Sequence, residues 1–311
     1  MIQATDTATG QACAMPPQTV LCLGNFDGVH RGHQALIAAA KRMRDERFPG
    51  AALGIFCFRG LSSDWLSKDP PGHLTTEAER LSCFRAAGAE IAVLADFPAL
   101  RDTEPADFVR DILVRDCHCI AAACGFNHRF GRMGQGTPAL LGELLGGRLL
   151  VCEAVLAGGE PISSTRVRQL LLDGQPDAAE ALLGRPYDLT APVTHGAQLG
   201  RTIGIPTINQ RFPARALIPK AGVYCTVCRL NGTGYAGVTD VGTRPTVGGA
   251  HEVRCETNLL DFSDDVYGAT VTTSFLRYLR EEKKFASVEA LREQIEQDRA
   301  AVRALLEAGK L

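Results

Sequence analysis

No run of about 18 consecutive apolar residues occurs in the 311-residue chain, which excludes a membrane-spanning helix of ordinary length. The opening segment, MIQATDTATGQACAMPPQ, lacks the basic and apolar regions of a secretory signal, so the expected location is the cytoplasm. An excess of charge is lacking too. Lys and Arg number 33 against 35 Asp and Glu, a net charge of −2 that offers no field for nucleic acid or an anionic membrane. Small molecules are the expected partners. Internal repeats and low-complexity tracts are absent as well. The 11 cysteines are odd in number and scattered, which points to reduced thiols rather than a disulfide framework. Cys225 and Cys228 fall three apart in the strand-like GVYCTVCRL and so face opposite ways, while Cys117, His118 and Cys119 have no second pair at zinc-site spacing.

What is present is a mixture ordinary for a globular protein, 45% hydrophobic and 22% charged, long enough for two cores. Up to about residue 184 short apolar runs alternate with helical patterns. Strands are expected at 20–24, 52–58, 91–95, 119–124 and 149–155, and helices at 77–87 behind Thr75 and Thr76 and at 106–115 after Pro105. That alternation predicts an α/β domain with a parallel sheet covered on both faces, whose ligands bind at the carboxyl ends of the strands. From Tyr187 to Phe275 the texture becomes short β-rich runs punctuated by Gly and Pro, an all-β domain. Residues 288–306 form an amphipathic pattern with Ser287 as N-cap, a terminal helix packed on that β domain. The expected boundaries are 1–184 and 185–311.

The strand-to-helix turn GNFDGVHRGH (24–33) is richer than turn chemistry requires. A helix N-terminus presents unpaired N–H groups and a positive dipole end to an anion such as phosphate. Gly28 and Gly32 allow close backbone approach, and His30 and His33 could hydrogen-bond phosphoryl oxygens and stabilise charge in a transition state. HRGH resembles the HxGH signature of the adenylyl- and cytidylyltransferase superfamily, and the longer GNFDGVHRGH resembles the FMN adenylyltransferase module of bacterial FAD synthetases. GFNHRFGRMGQG (125–136) is similar to that module's GxDFRFG loop, and ISSTRVRQLL (162–171) to its ISSTxxR segment. Alone, SSTR is a plain helix cap; together with HxGH in the same order it reads as a phosphate contact. The resemblance implies a Rossmann-like nucleotidyltransferase domain in which His30 and His33 are catalytic. It also implies that Gly24, Phe26, Gly32, Asn127, Ser163, Ser164, Thr165, Arg166 and Arg168 bind ATP. One departure stands out: where the family carries an FxPHP-like stretch this chain has FCFRGLSSDW (56–65), without proline or histidine.

In the second half, GRTIGIPTIN (200–209) sets Thr207 and Asn209 two apart, on one face of a strand, where both can offer oxygen to a hard cation such as Mg²⁺. GRTIGIPTIN, AGVYCTV, GVTDVGTRPTVGG, CETNLLDF, DVYG and LREEKKFASVEALREQIEQD run in the order of the riboflavin kinase module. That resemblance implies a Greek-key β-barrel with a C-terminal helix. In it Thr207 and Asn209 hold Mg²⁺ and ATP, Gly200, Arg201 and Gly204 form a phosphate-facing loop, and Arg244 and Arg280 contact phosphate or flavin. From chemistry alone Glu252, Glu256 and Asp261 are equally eligible as base; the family motif selects Glu256.

The whole chain thus resembles prokaryotic bifunctional FAD synthetases, with ATP as co-substrate, Mg²⁺ as cofactor, and riboflavin, FMN and FAD as partners; self-association is left open. Two alternatives stand beside this reading. One is a riboflavin kinase with a weakened or inactive adenylyltransferase domain, suggested by the missing FxPHP element. The other is a non-catalytic flavin- or nucleotide-binding regulator, against which the intact HxGH and Glu256 argue.

Overall fold

The computed structural model describes residues 2–6, 9–195, 204–245 and 251–309. The chain divides into two compact units, Met1–Ser164 and Thr165–Leu311.

Within the described residues of the first unit, six strands form one sheet: β1 (Ile2–Asp6), β2 (Thr19–Leu23), β3 (Ala52–Phe58), β4 (Ile91–Ala95), β5 (Cys119–Gly125) and β6 (Leu149–Cys152). Their order is β1-β4-β3-β2-β5-β6, parallel except for the edge strand β1, which runs antiparallel to β4. The chain moves outward from β2 through β3 to β4, then returns to the other side of β2 at β5. The reversal lies between β2 and β5, and ligands of such sheets sit outside the carboxyl ends of the strands there. The turn 24–33 begins at that place.

Helices cover both faces, as the alternation predicts. On one face α1 (Arg31–Arg47) buries Leu36, Ile37, Ala40 and Met43, spaced along one stripe, with α2 (Glu77–Ala86) beside it through Leu81 and Phe84. Burying each large side chain there is worth about 2 kcal/mol. A capping box starts α2: Thr76 Oγ1 accepts from Glu79 N–H, and the Glu79 carboxylate accepts from Thr76 N–H. On the other face lie α3 (Phe108–Asp116), wound in wide π turns, and α4 (Pro138–Leu144), contributing Phe108, Leu113 and Leu141. A two-residue ribbon, β7 (Leu156–Ala157) with β8 (Glu160–Pro161), precedes α5 (Ser164–Leu172).

In the second unit α6 (Pro176–Leu183) packs on an antiparallel sheet of β9 (Tyr187–Pro192), β10 (Ile208–Arg211), β11 (Gly222–Leu230), β12 (Thr233–Pro245), β13 (His251–Leu259) and β14 (Thr270–Arg280). Because α6 buries Ala179, Leu182 and Leu183 there, packing groups residues 165–184 with the barrel rather than with the sequence that precedes them. The order β10-β13-β12-β11-β14-β9 contains the Greek key, with β14 returning beside β11 after the β11-β12-β13 meander. Thr194 N–H donates to Asn209 O at 2.8 Å and nearly closes the sheet into a barrel. The interior holds Ile208, Cys228, Leu230, Leu259 and Val271 at one end. Further along it carries a polar ladder in which Thr239 Oγ1 bonds Thr226 (2.7 Å) and Thr257 (2.8 Å). Outside, α7 (Val288–Glu307) covers Val223, Cys225, Val238 and Leu260 with Val302 and Leu305. Cys225 and Cys228 therefore serve opposite faces of β11.

Candidate active sites

Between β2 and α1 the backbone is left-handed at Phe26 (φ 52°), Gly28 (φ 76°) and Val29 (φ 42°). That conformation costs a non-glycine residue about 1–3 kcal/mol and persists only where its surroundings enforce it. Asp27 supplies the enforcement. Leu74 N–H donates to both of its carboxylate oxygens (3.0 and 3.2 Å), the Thr75 N–H and hydroxyl donate to Oδ1 (3.3 and 3.4 Å), and Gly28 N–H donates to Thr75 Oγ1 (3.1 Å). Gln34 Nε2 adds a bond to Val29 O at 2.9 Å.

This turn delivers His30 to the N-cap of α1. His30 Nδ1 accepts from His33 N–H at 3.3 Å, which places the proton of the neutral ring on Nε2, free of the cap. The two rings stack with centroids 3.7 Å and planes 17° apart, and the Phe26 ring backs His33 at 5.0 Å. Burial pulls the pKa of His30 down to about 4, and burial followed by the neighbouring imidazole pulls His33 well below its ordinary range. At neutral pH both are uncharged donors and acceptors.

A stability consequence follows from the sign of these shifts. Between the ordinary value of 6.5 and the folded value of about 4 the unfolded state binds more protons, so stability present above pH 6.5 is lost as the pH falls through that window. For His30 the loss is on the order of 3 kcal/mol. The expected result is a Tm that falls between about pH 7 and about pH 4.5, with a smaller fall in His30→Asn, which keeps a competent N-cap; calorimetry on the full chain measures both.

The other residues expected at this site fall as follows. A Cβ at Gly32 would stand 3.1 Å from the His30 ring and 3.6 Å from Ile162 O, and Ser164 Oγ donates to Asp27 O at 2.9 Å. The ISS segment thus lies against the histidine turn. Gly24 packs under the Phe26 ring, 3.1 Å from where its Cβ would be. Phe26 is fully buried and can meet a nucleotide through its backbone alone. Asn127 is exposed just ahead of a loop closed by the paired backbones of Phe130 and Gly136 (3.3 and 2.8 Å). Ser163 directly precedes α5, and Thr165, Arg166 and Arg168 lie on its first turns.

In the barrel, the register sets Asn209 directly opposite Glu256, and Glu256 directly opposite Asp240. Opposed residues of antiparallel strands share a face, so the three polar side chains form a row on the outer surface while Ile208 turns into the interior. Asn209 is 8% exposed, and its buried Oδ1 has no hydrogen-bond partner among the described residues. An orphaned amide oxygen beside a carboxylate fits a hard cation. Two residues along, Asn258 Nδ2 donates to Pro206 O (2.8 Å) and fixes the approach to β10. Thr207 and Gly204 line a cleft of about 300 Å³ together with Phe262, Asp264, Asp265 and Tyr267.

Arg280, expected to contact phosphate or flavin, is paired with the terminal helix. Its guanidinium holds the Asp298 carboxylate of α7 through Nε (2.9 and 3.1 Å) and Nη2 (2.7 Å), bracing helix to barrel. Arg244 sits on β12 opposite Glu252. Gly200 and Arg201 lie outside the described residues.

Sequence reasoning did not single out Asp27 and Arg80 as holding the first turn, or Asp264 as lining the cleft beside Thr207 with Asp265 and Tyr267. The DFSDDVYG stretch (261–268) carried a usable signal, three acids and two aromatics before a glycine. Trp65, the single tryptophan, is 42% exposed and stacks on Phe97 at 5.6 Å in the segment that departs from FxPHP.

A doubly wound sheet with a paired-histidine turn at its switch point, in one chain with a Greek-key barrel, defines a two-module transferase of the kind that uses nucleoside triphosphates. Family models agree: that for FAD synthetase matches residues 13–166 and that for riboflavin kinase matches 183–306. The chain is 32% identical over 292 residues to the bifunctional riboflavin kinase/FMN adenylyltransferase of Bacillus subtilis, spanning 91% of this chain and 90% of that one. It is 35% identical to the protein of the same description from Pseudomonas fluorescens, with 92% of each covered. A crystal structure described as a macrolide-efflux protein from Streptococcus pneumoniae matches with a TM-score of 0.85 and 30% identity over 96% of this chain and 97% of that one. The chain belongs to the bifunctional riboflavin kinase/FMN adenylyltransferase family. Among the described residues no helix is long and apolar enough to cross a membrane.

Proposed function

We propose that the second unit phosphorylates riboflavin to FMN with ATP and that the first unit joins FMN to the AMP moiety of ATP, giving FAD and pyrophosphate. What supports this reading is that each unit carries its own cluster of candidate site residues: the stacked rings of His30 and His33 in one, Asn209 opposite Glu256 in the other. The protein acts in the cytoplasm on small molecules.

In the kinase reaction the adenine nucleotide occupies the cleft beside Thr207 and Gly204. Glu256 takes the proton of the ribityl hydroxyl as its oxygen attacks the γ-phosphorus in line, and ADP leaves. Asn209 and Thr207 would hold Mg²⁺ through oxygen, and the ion would supply positive charge to offset that of the transferring phosphates.

In the adenylyl transfer a phosphate oxygen of FMN attacks the α-phosphorus of ATP. A new P–O–P bond forms, the α–β bridge breaks, and pyrophosphate departs. The free N–H groups of α1 and the Nε2–H of His30 donate to oxygens on which charge builds. Ser163 and Ser164 supply hydroxyls beside the same turn, and the Trp65–Phe97 shelf offers a flat apolar surface for the isoalloxazine ring.

Incubating the protein with riboflavin, ATP and Mg²⁺ and separating flavins by chromatography tests the reading. FMN followed by FAD is expected, and both should vanish with chelator. FMN without FAD would mean that the first unit does not transfer adenylyl groups, and binding with no turnover would make the protein a regulator.

A further inference from the structure

Arg80 on α2 is 4% exposed, and its guanidinium is satisfied by backbone carbonyls. Nη1 donates to Asn25 O at 3.2 Å, and Nη2 donates to Phe58 O at 2.8 Å and Arg59 O at 2.9 Å. Asn25 belongs to the turn that carries His30; Phe58 and Arg59 close β3 and open the segment where the FxPHP-like element is missing. One planar side chain therefore ties together the carboxyl ends of two neighbouring parallel strands, β2 and β3. A buried cation is costly unless compensated, and among the described residues the hydrogen bonds of this guanidinium all go to backbone carbonyls.

The surroundings make the tie specific. Asn25 Nδ2 donates to Ser62 Oγ at 3.2 Å, a second link between the same two segments. Leu74 and Thr75, just ahead of α2, hold Asp27 in the turn. The start of α2 and the residues leading to it thus grip the turn at Asn25, Asp27 and Gly28, while Arg80 also reaches the end of β3. With Phe26 and Val29 left-handed, the turn needs such restraint to keep its shape.

We propose that Arg80 is a positioning residue for adenylyl transfer: it locks the turn 24–30 to the end of β3, does the work of the proline-bearing element that the chain lacks, and so fixes His30 and His33 relative to the α-phosphoryl group. This rests on the first unit's being the adenylyltransferase. The guanidinium touches no substrate and acts through the backbone. Its geometry matches three carbonyls at the ends of two strands, which an ammonium cannot reach together.

The test compares Arg80→Met and Arg80→Lys with the unsubstituted protein. In R80M, kcat for FMN to FAD is expected to fall about 100-fold, the scale of a misplacement of about 1 Å, with KM for ATP changed less than about threefold. Riboflavin phosphorylation serves as the internal control and should stay within about twofold of the unsubstituted rate. R80K is expected to recover part of the loss, and the ring resonances of His30 and His33 should shift in R80M in NMR spectra of ¹⁵N-histidine-labelled protein. Adenylyl transfer in R80M equal to the unsubstituted rate, or unmoved histidine resonances, overturns the proposal. Should R80M fail to fold, R80K decides: a kcat below that of the unsubstituted protein supports the three-point lock, and an equal kcat overturns it. An unsubstituted protein that forms no FAD would refute the adenylyltransferase reading instead, and the histidine resonances would still judge the lock.

Discussion

Glu256→Gln is expected to lower the rate of riboflavin phosphorylation by about 100-fold or more, the usual contribution of a positioned general base. Glutamine matches the size of glutamate but accepts no proton from the ribityl hydroxyl at neutral pH. The substitution sits half-buried on the outer face of β13, so the ladder that opposes it to Asn209 and Asp240 should survive. Conversion of supplied FMN to FAD should remain within about twofold, because that chemistry uses the other unit. Flavin chromatography with riboflavin or FMN as the starting material reads both rates. Loss of the two activities together would show that the sites are not separable, and an unaffected kinase would remove Glu256 from the chemistry.

His30→Ala is expected to do the converse. Removing a donor aimed at developing phosphoryl charge costs about 100- to 1,000-fold in kcat, and FMN should accumulate where FAD formed before. The same change removes the N-cap of α1, worth about 1 kcal/mol, so His30→Asn belongs beside it: asparagine restores the cap but not an imidazole Nε2–H. If the asparagine variant makes FAD at the original rate, the role of His30 is structural. A fall in kinase activity with FAD formation intact would reverse the assignment of reactions to units.

Much of the fold was legible because hydrophobic period and strand length agree along the first half. The expected strands at 52–58 and 91–95 match β3 and β4, and those at 20–24 and 119–124 differ from β2 and β5 by a single residue at their ends. The expected strand at 149–155 ends early, at Cys152, where pairing with β5 stops at Gly125. Strand β1 was passed over, since IQATD is short, with Ile2 its one large apolar residue, and it pairs along the edge of β4. The expected helix at 106–115 forms, but wound in wide π turns over Phe108–Asp116, which a pattern of apolar residues does not distinguish from α.

The sites divide in the same way. As candidates, His30, His33, Thr207 and Asn209 were legible because they sit in short motifs that, taken in order with their neighbours, resemble those of the family. Arg80 and Asp27 were not, because each acts on backbone groups distant in sequence: Arg80 on Asn25 and Phe58, Asp27 on Leu74 and Thr75. No local pattern records such a partnership. Glu256 was singled out through family resemblance, and its opposition to Asn209 became visible only with the β10–β13 register.

The pairing of β9 with β14, in which Tyr187 meets Phe275 and Pro192 meets Thr270, bears on how the protein is born. During translation the first barrel strand must wait for the last before its full ladder can form, an interval of roughly 5–20 s at ordinary elongation speeds. The parallel sheet has all its strands by Cys152, so on the ribosome the module that consumes FMN is ready before the module that makes it.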